Sequence, residues 1–193
     1  MDRCIPPDKP IGVLVSGGMD SAVLWYAAKM ICMHRKQECL PYTIAKLDGA
    51  EYHAGVVIDK TCELLGIPPV TTTMVGTRSD DPSETTISGL RDVIRVHGKY
   101  ALNGDTAYFD DLDHGPVAPR VRGDRPDKFI QPFFDFTKEK TILFAEALGI
   151  LDELIPITHS CTLQDEGKCG ICYWCKERDA AFKMINIADY GHA

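Results

Sequence analysis

The chain has 193 residues, 45% of them apolar and 25% charged, with a formal net charge of −7 and an isoelectric point near 5.3. That length suits one domain with a sizeable core. The acidic balance argues against a general phosphate-neutralising surface, so no direct nucleic-acid partner is expected. No run approaches the roughly 18 apolar residues of a membrane span, and Met1-Asp2-Arg3-Cys4-Ile5-Pro6-Pro7 lacks the apolar stretch of a signal peptide. The expected setting is the cytoplasm, with no membrane partner.

In chain order, Ile11-Gly12-Val13-Leu14-Val15 reads as a short buried strand, and a helix follows the glycine turn to about Arg35. Leu40 to Ala45 reads as a second strand, with its start near an edge because of Pro41. A helix from Ala50 to Leu65 carries Val57, Ile58, Cys62 and Leu65 on one face and ends at Gly66. The β-branched run from Pro69 to Val75 predicts a third strand. Ser83 is placed to cap a helix over Glu84 to His97, and Tyr100 to Asn103 form a fourth strand closed by Gly104-Asp105-Thr106.

Residues 108–128 show little apolar periodicity and read as a long surface loop. Its Arg120, Arg122, Arg125 and Lys128 make a local basic patch. Phe129 to Phe133 is a candidate fifth strand. Thr137 is placed to cap a helix from Lys138 to Leu148, and a last helix runs from about Cys175 to Ala188. Strands alternating with helices predict an α/β fold, a doubly wound parallel sheet with helices on both faces. Ligands of such sheets sit beyond the carboxyl ends of the strands, where residues 16–21, 46–49 and 104–105 would converge.

The stretch between the first strand and its helix, Ser16-Gly17-Gly18-Met19-Asp20-Ser21, suits an anion. Two glycines allow a tight turn with consecutive N–H groups exposed as a nest. The helix adds its positive N-terminal end, and Ser16 and Ser21 add hydroxyls. Asp20 is placed either to cap the helix or to hold a magnesium-bound water. The Lys of the G-x-x-x-x-G-K-[ST] pattern is missing, so this is not that loop. The bland alternative is a strand-to-helix turn with Asp20 or Ser21 as a plain cap.

Near the other end, Cys161 is followed by seven residues and then Cys169-Gly170-Ile171-Cys172-Tyr173-Trp174-Cys175. Four thiolates within fifteen residues can close a tetrahedral shell around zinc, as a structural site with no open position. An iron–sulfur cluster also takes four cysteines, although the spacing is not the ferredoxin run. In a reducing compartment this crowding favours metal over disulfides. Cys4, Cys32, Cys39 and Cys62 are scattered and read as small buried hydrophobes. His53 and His97 read as surface or packing residues, with no partner visible in the sequence.

The loop Ser16-Gly17-Gly18-Met19-Asp20-Ser21 resembles the SGG-x-DS loop of the N-type ATP pyrophosphatases, the PP-loop superfamily. Pairing that loop with Ser160-Cys161 and Cys169-Gly170-x-Cys172-x-x-Cys175-x-x-Arg178-x-x-Ala181-Phe182 resembles the QueC family of 7-cyano-7-deazaguanine synthases. Gln131-Pro132-Phe133, Thr137-Lys138 and Ala147-Leu148-Gly149 resemble that family's stretch before the cysteines. The matched parts cover about half the chain. Lys46-Leu47-Asp48-Gly49-Ala50 stands where the family carries Tyr-Gly-Gln, and Ser83 to Ser88 lacks its Gly-Arg-Asn-type motif.

The resemblance implies an adenine nucleotide α-hydrolase-like domain over residues 1–158. It also implies a Cys4 zinc-binding segment with the C-terminal helix over 159–193, packed on the same domain. It implies ATP, magnesium and zinc as cofactors, and Val15, Ser16, Gly17, Gly18, Met19, Asp20, Ser21, Leu47, Gly104 and Asp105 at the nucleotide. Asp20, Ser21 and Lys138 would be catalytic, and Cys161, Cys169, Cys172 and Cys175 would hold the metal. The implied reaction converts 7-carboxy-7-deazaguanine and ammonia to the nitrile through an adenylated carboxylate, in a chain that forms a monomer or a homodimer. The alternatives are adenylation of another acid or carbonyl, a tRNA-modifying relative, and a nucleotide-binding partner subunit without turnover.

Overall fold

The computed structural model describes residues 1–44, 49–77, 82–106, 127–189 and 191, with the side chains of 82–84 outside that description. Five strands form one sheet: β1 Ile11–Leu14, β2 Cys39–Ile44, β3 Thr73–Val75, β4 Tyr100–Leu102 and β5 Phe129–Ile130. Their order is β3-β2-β1-β4-β5, and every pairing is parallel. Four long helices are α1 Met19–His34, α2 Ala50–Leu65, α3 Pro82–Arg95 and α4 Lys138–Ala147. Among the described residues a single turn, α5 Leu151–Leu154, and α6 Tyr173–Met184 follow.

Both faces of the sheet are covered, and the strand residues alternate accordingly. Ile11 and Val13 of β1 enter the larger core with Trp25, Val57, Ile142 and Phe182 from the helices. Leu14, Tyr42, Ile44 and Ala101 point into a smaller core closed by Val93 of α3. Gly12 lies under that second layer, where a Cβ would come within 2.6 Å of Val93 and 2.9 Å of Tyr42. A side chain there would separate α3 from the sheet. Ala181 and Phe182 of α6 belong to the main core, so the last helix packs on the same body as the first strands.

The doubly wound reading of the sequence holds. Its boundaries shift where side chains replace ladder bonds. Residues 69–72 are not strand: the Thr72 hydroxyl pairs with that of Thr43 at 2.8 Å instead. β5 stops at Ile130, and α6 starts two residues earlier than expected because Cys172 caps it. α5 carried no sequence signal. Residues 107–126, with the basic patch apart from Lys128, lie outside the described residues, as do 45–48. Cys32, Cys39 and Cys62 are buried as expected, but Cys4 is exposed, since it sits in a short N-terminal turn that covers no core.

Candidate active site and metal centre

The strand order reverses between β1 and β4, because the chain leaves β1 toward β2 and returns on the other side at β4. At such a switch point the loops after the two strands diverge and open a crevice. Residues 16–21 and 104–106 occupy this place. Gly104 lies against the start of α1, where a Cβ would stand 3.0 Å from the Asp20 carbonyl oxygen and 3.2 Å from the Ser21 Cα. Thr106 Oγ1 donates to Asp20 Oδ2 at 3.5 Å.

The loop is held by its own serines. Ser16 N donates to Ser21 Oγ at 3.1 Å, and Ser21 Oγ donates to the Gly18 carbonyl at 2.9 Å. Val15 and Met19 are buried beneath it. Gly17 has φ +81°, and a Cβ there would meet His53 backbone carbon at 2.6 Å. Gly18, rather than Asp20 or Ser21, occupies the cap position of α1, and no side chain caps that helix. The first-turn N–H groups have no intrahelical acceptor, so together with the helix dipole they present donors to an anion. Asp20 stands in that first turn with its carboxylate turned to other partners.

Those partners include Lys138, the first residue of α4, which is 4% exposed. Its Nζ donates to Asp20 Oδ2 and pairs with Glu177 Oε2 at 3.0 Å. Glu177, 1% exposed, is on α6. Its second oxygen accepts from the Tyr173 hydroxyl at 3.0 Å. Burial alone would push the Lys138 ammonium below the ordinary lysine range, but the two carboxylates outweigh it and hold it above. Lys138 also lies 5.9 Å from the Trp174 ring centre. Asp20 Oδ1 is buried with no hydrogen-bond partner among the described residues, which fits a carboxylate awaiting a cation or a ligand donor.

Asp105 is reached from two sides. Its Oδ2 accepts from Asn103 Nδ2 at 2.8 Å and from Gln131 Nε2 at 3.2 Å. Leu47 lies outside the described residues.

The four cysteine sulfurs of Cys161, Cys169, Cys172 and Cys175 lie within 4.8 Å of one another. Zinc–sulfur bonds of about 2.3 Å in a tetrahedron require sulfurs about 3.8 Å apart; Cys169 and Cys175 stand at 4.0 Å. Backbone N–H groups already aim at three sulfurs. Leu163 N donates to Cys161 at 3.5 Å, Cys172 N to Cys169 at 3.3 Å, and Cys175 N to Cys172 at 3.4 Å. The bond from Cys172 N holds the Cys169 thiol below the ordinary range. Cys172 is also lowered: burial opposes it, but donors from Thr162 and Cys175 prevail. Burial pushes Cys175 up to about 12. The donor set, spacing and amide support fit a thiolate-bound metal.

The cysteine segment and the loop touch. His159 N donates to the Gly17 carbonyl at 3.0 Å. The His53 and His159 rings stack with centroids 4.0 Å apart. His53 Nε2 is 2.9 Å from the Asp165 carbonyl, and His159 Nε2 is 2.8 Å from that of Gln164. His53 is thus a packing residue that joins α2 to the cysteine segment, while His97 lies against Tyr42 at 5.0 Å. Glu177 and His159 were not legible as site residues. Glu177 sits two places after Cys175 in a polar run, and its buried partner is far off in sequence.

The sequence model of the family described as "Queuosine biosynthesis protein QueC" matches residues 118–186. The chain is 27% identical to the 7-cyano-7-deazaguanine synthase of Caldicellulosiruptor saccharolyticus, over 92% of each chain. Both matches support a place in the QueC family. Among solved structures, this chain is similar to the U34-tRNA thiolase NcsA from Methanococcus maripaludis with its 4Fe-4S cluster. The TM-score is 0.54 at 14% identity, covering 95% of this chain and 66% of that one, and this likeness is one of fold. Among the described residues no helix is long and apolar enough to cross a membrane.

Proposed function

We propose that this chain is an ATP-dependent nitrile synthase, converting 7-carboxy-7-deazaguanine and ammonia to 7-cyano-7-deazaguanine. The observation that carries the reading is Lys138, buried at the switch point between Asp20 of the glycine loop and Glu177 of the cysteine-bearing helix. The family match and the 7-cyano-7-deazaguanine synthase relative support the substrate class.

A carboxylate is a poor electrophile. In the proposed reaction a carboxylate oxygen attacks the α-phosphorus of ATP, and the bond to pyrophosphate breaks. Ammonia then adds to the acyl carbon and AMP leaves, giving the amide. A second ATP adenylates the amide oxygen, and loss of AMP and the remaining N–H proton leaves the nitrile. The backbone of Ser16 to Ser21, with Val15 and Met19 beneath it, takes the departing pyrophosphate. Gly104 leaves room for the start of α1, and Asp105 faces the ligand. Lys138 balances charge on the transferring group. Asp20 would be the protein contact of magnesium, which would add further charge neutralisation when bound.

Zinc is the proposed metal of Cys161, Cys169, Cys172 and Cys175, in a structural role. Residues 159–193 would form one segment packed on a nucleotide-binding domain over 1–158. The proposed setting is the cytoplasm, without a nucleic-acid partner, and as a monomer or homodimer.

The test incubates the purified protein with ATP, magnesium, ammonium and 7-carboxy-7-deazaguanine and follows products by mass spectrometry. The expected product is the nitrile, with two AMP released per molecule. Accumulation of the amide alone would refute the second activation. Absence of any product while MgATP binds would refute the substrate.

A further inference from the structure

Lys138 has two carboxylates where one would neutralise it. Asp20 belongs to the glycine loop and lies beside the place where the proposed nucleotide binds. Glu177 lies on the opposite side, on α6, is 1% exposed and is itself fixed by the Tyr173 hydroxyl at 3.0 Å. An ammonium has three donors; Asp20 accepts one, and Glu177 Oε2 stands in ion-pair range at 3.0 Å. The groups facing the ammonium are therefore Asp20 from α1, Glu177 from α6, and the Trp174 ring.

A buried lysine held by Asp20 alone would face a conflict when an anion arrives. Turning to the anion would break its only ion pair, and burial would favour loss of its proton. With Glu177 behind it, the ammonium stays paired while its contact with Asp20 is exchanged. We propose that Glu177 is a positioning residue: it anchors Lys138 so that the ammonium can trade Asp20 for an anionic oxygen of the bound nucleotide. The inference rests on the nucleotide reading of the glycine loop and adds a residue to it. α6 thereby does more than carry Cys175, because it sets the place of the lysine.

The test is a double-mutant cycle on the dissociation constant of MgATP, measured by calorimetry without any acid substrate. Lys138→Met should weaken binding at least about tenfold, the size of a lost charge-assisted hydrogen bond. Glu177→Gln keeps the shape and the Tyr173 contact, and should weaken binding about threefold or more. In the Lys138→Met background the same change should not weaken binding at all, and should tighten it, because there it only removes an uncompensated carboxylate. A residue that merely supports the fold would weaken binding in both backgrounds, and that result overturns the proposal. So does unchanged affinity in Glu177→Gln alone.

Metal content and melting temperature are checked for each variant. If Glu177→Gln does not yield folded, metal-loaded protein, Glu177→Leu, which also removes the carboxylate, goes through the same cycle under the same criteria. Wild-type protein that binds no MgATP overturns both this proposal and the nucleotide reading. A sign reversal in the cycle without turnover of the deazaguanine acid upholds Glu177 and refutes the substrate.

Discussion

Replacing Lys138 by methionine tests the buried charge arrangement through stability alone. The methionine stem fills the same volume, but Glu177, 1% exposed, then shares a dry site with Asp20 and no cation. Removing one partner of a buried ion pair costs about 3–5 kcal/mol, a large part of the roughly 5–15 kcal/mol of a typical domain. For a chain of this length each kcal/mol moves the melting temperature by about 2–4 °C, so the expected fall is on the order of 6–20 °C. Denaturant unfolding followed by circular dichroism, with metal in excess, gives the free energy. The double variant Lys138→Met, Glu177→Leu should regain most of the loss, since an apolar pair in place of buried charges is close to neutral. A Lys138→Met protein within about 1 kcal/mol of wild type would refute the ion pairs as drawn, because that is the scale of an ordinary surface substitution.

Three further outcomes are expected. The Lys138 ammonium is held above the ordinary lysine value of 10.5. Its stabilising contribution is therefore complete below that pH and is lost as pH rises through the folded-state value, so the stability gap between wild type and Lys138→Met should narrow in alkaline urea melts. Cys172→Ala removes a proposed metal ligand and also the sulfur that caps α6. Metal content by emission spectrometry should fall with the melting temperature, since structural metal is folding energy, and retained metal would contradict the site. Gly17→Ala introduces a Cβ at φ +81° and 2.6 Å from His53 backbone carbon. The backbone conformation alone costs about 1–2 kcal/mol, and the displaced loop should lose MgATP binding in calorimetry.

Much of this arrangement was legible in the sequence, for identifiable reasons. α2 was placed from its apolar spacing and from Gly66, which takes φ +62° at its end. The cysteine spacing announced a thiol cluster that could hold a metal, and the four sulfurs do converge. The strand expected over 69–75 came out shorter, since threonine hydroxyls there bond to β2 instead of continuing the ladder. Asp20 was weighed as a cap, yet its carboxylate turns to Lys138 and Thr106. Glu177 was missed because a glutamate in a polar helical run looks solvated. Only the tertiary packing of α4 against α6 shows that it is buried beside a lysine.

One turn of α6 carries three separate attachments. Cys175 faces the sulfur cluster, Glu177 faces Lys138, and Arg178 grips Asp189 with two bonds of 2.9 Å while also reaching the Thr158 hydroxyl at 2.7 Å. Each residue of a helix is rotated about 100° from the last. One inserted residue after Cys175 would therefore swing Glu177 away from the lysine and Arg178 away from the tail together. This turn can drift in composition where it meets solvent, as at Lys176, but it cannot change in length. Across relatives, gaps should fall on either side of 175–178 and never within it, and a designer grafting this cysteine knuckle elsewhere must carry the whole turn as a single indexed part.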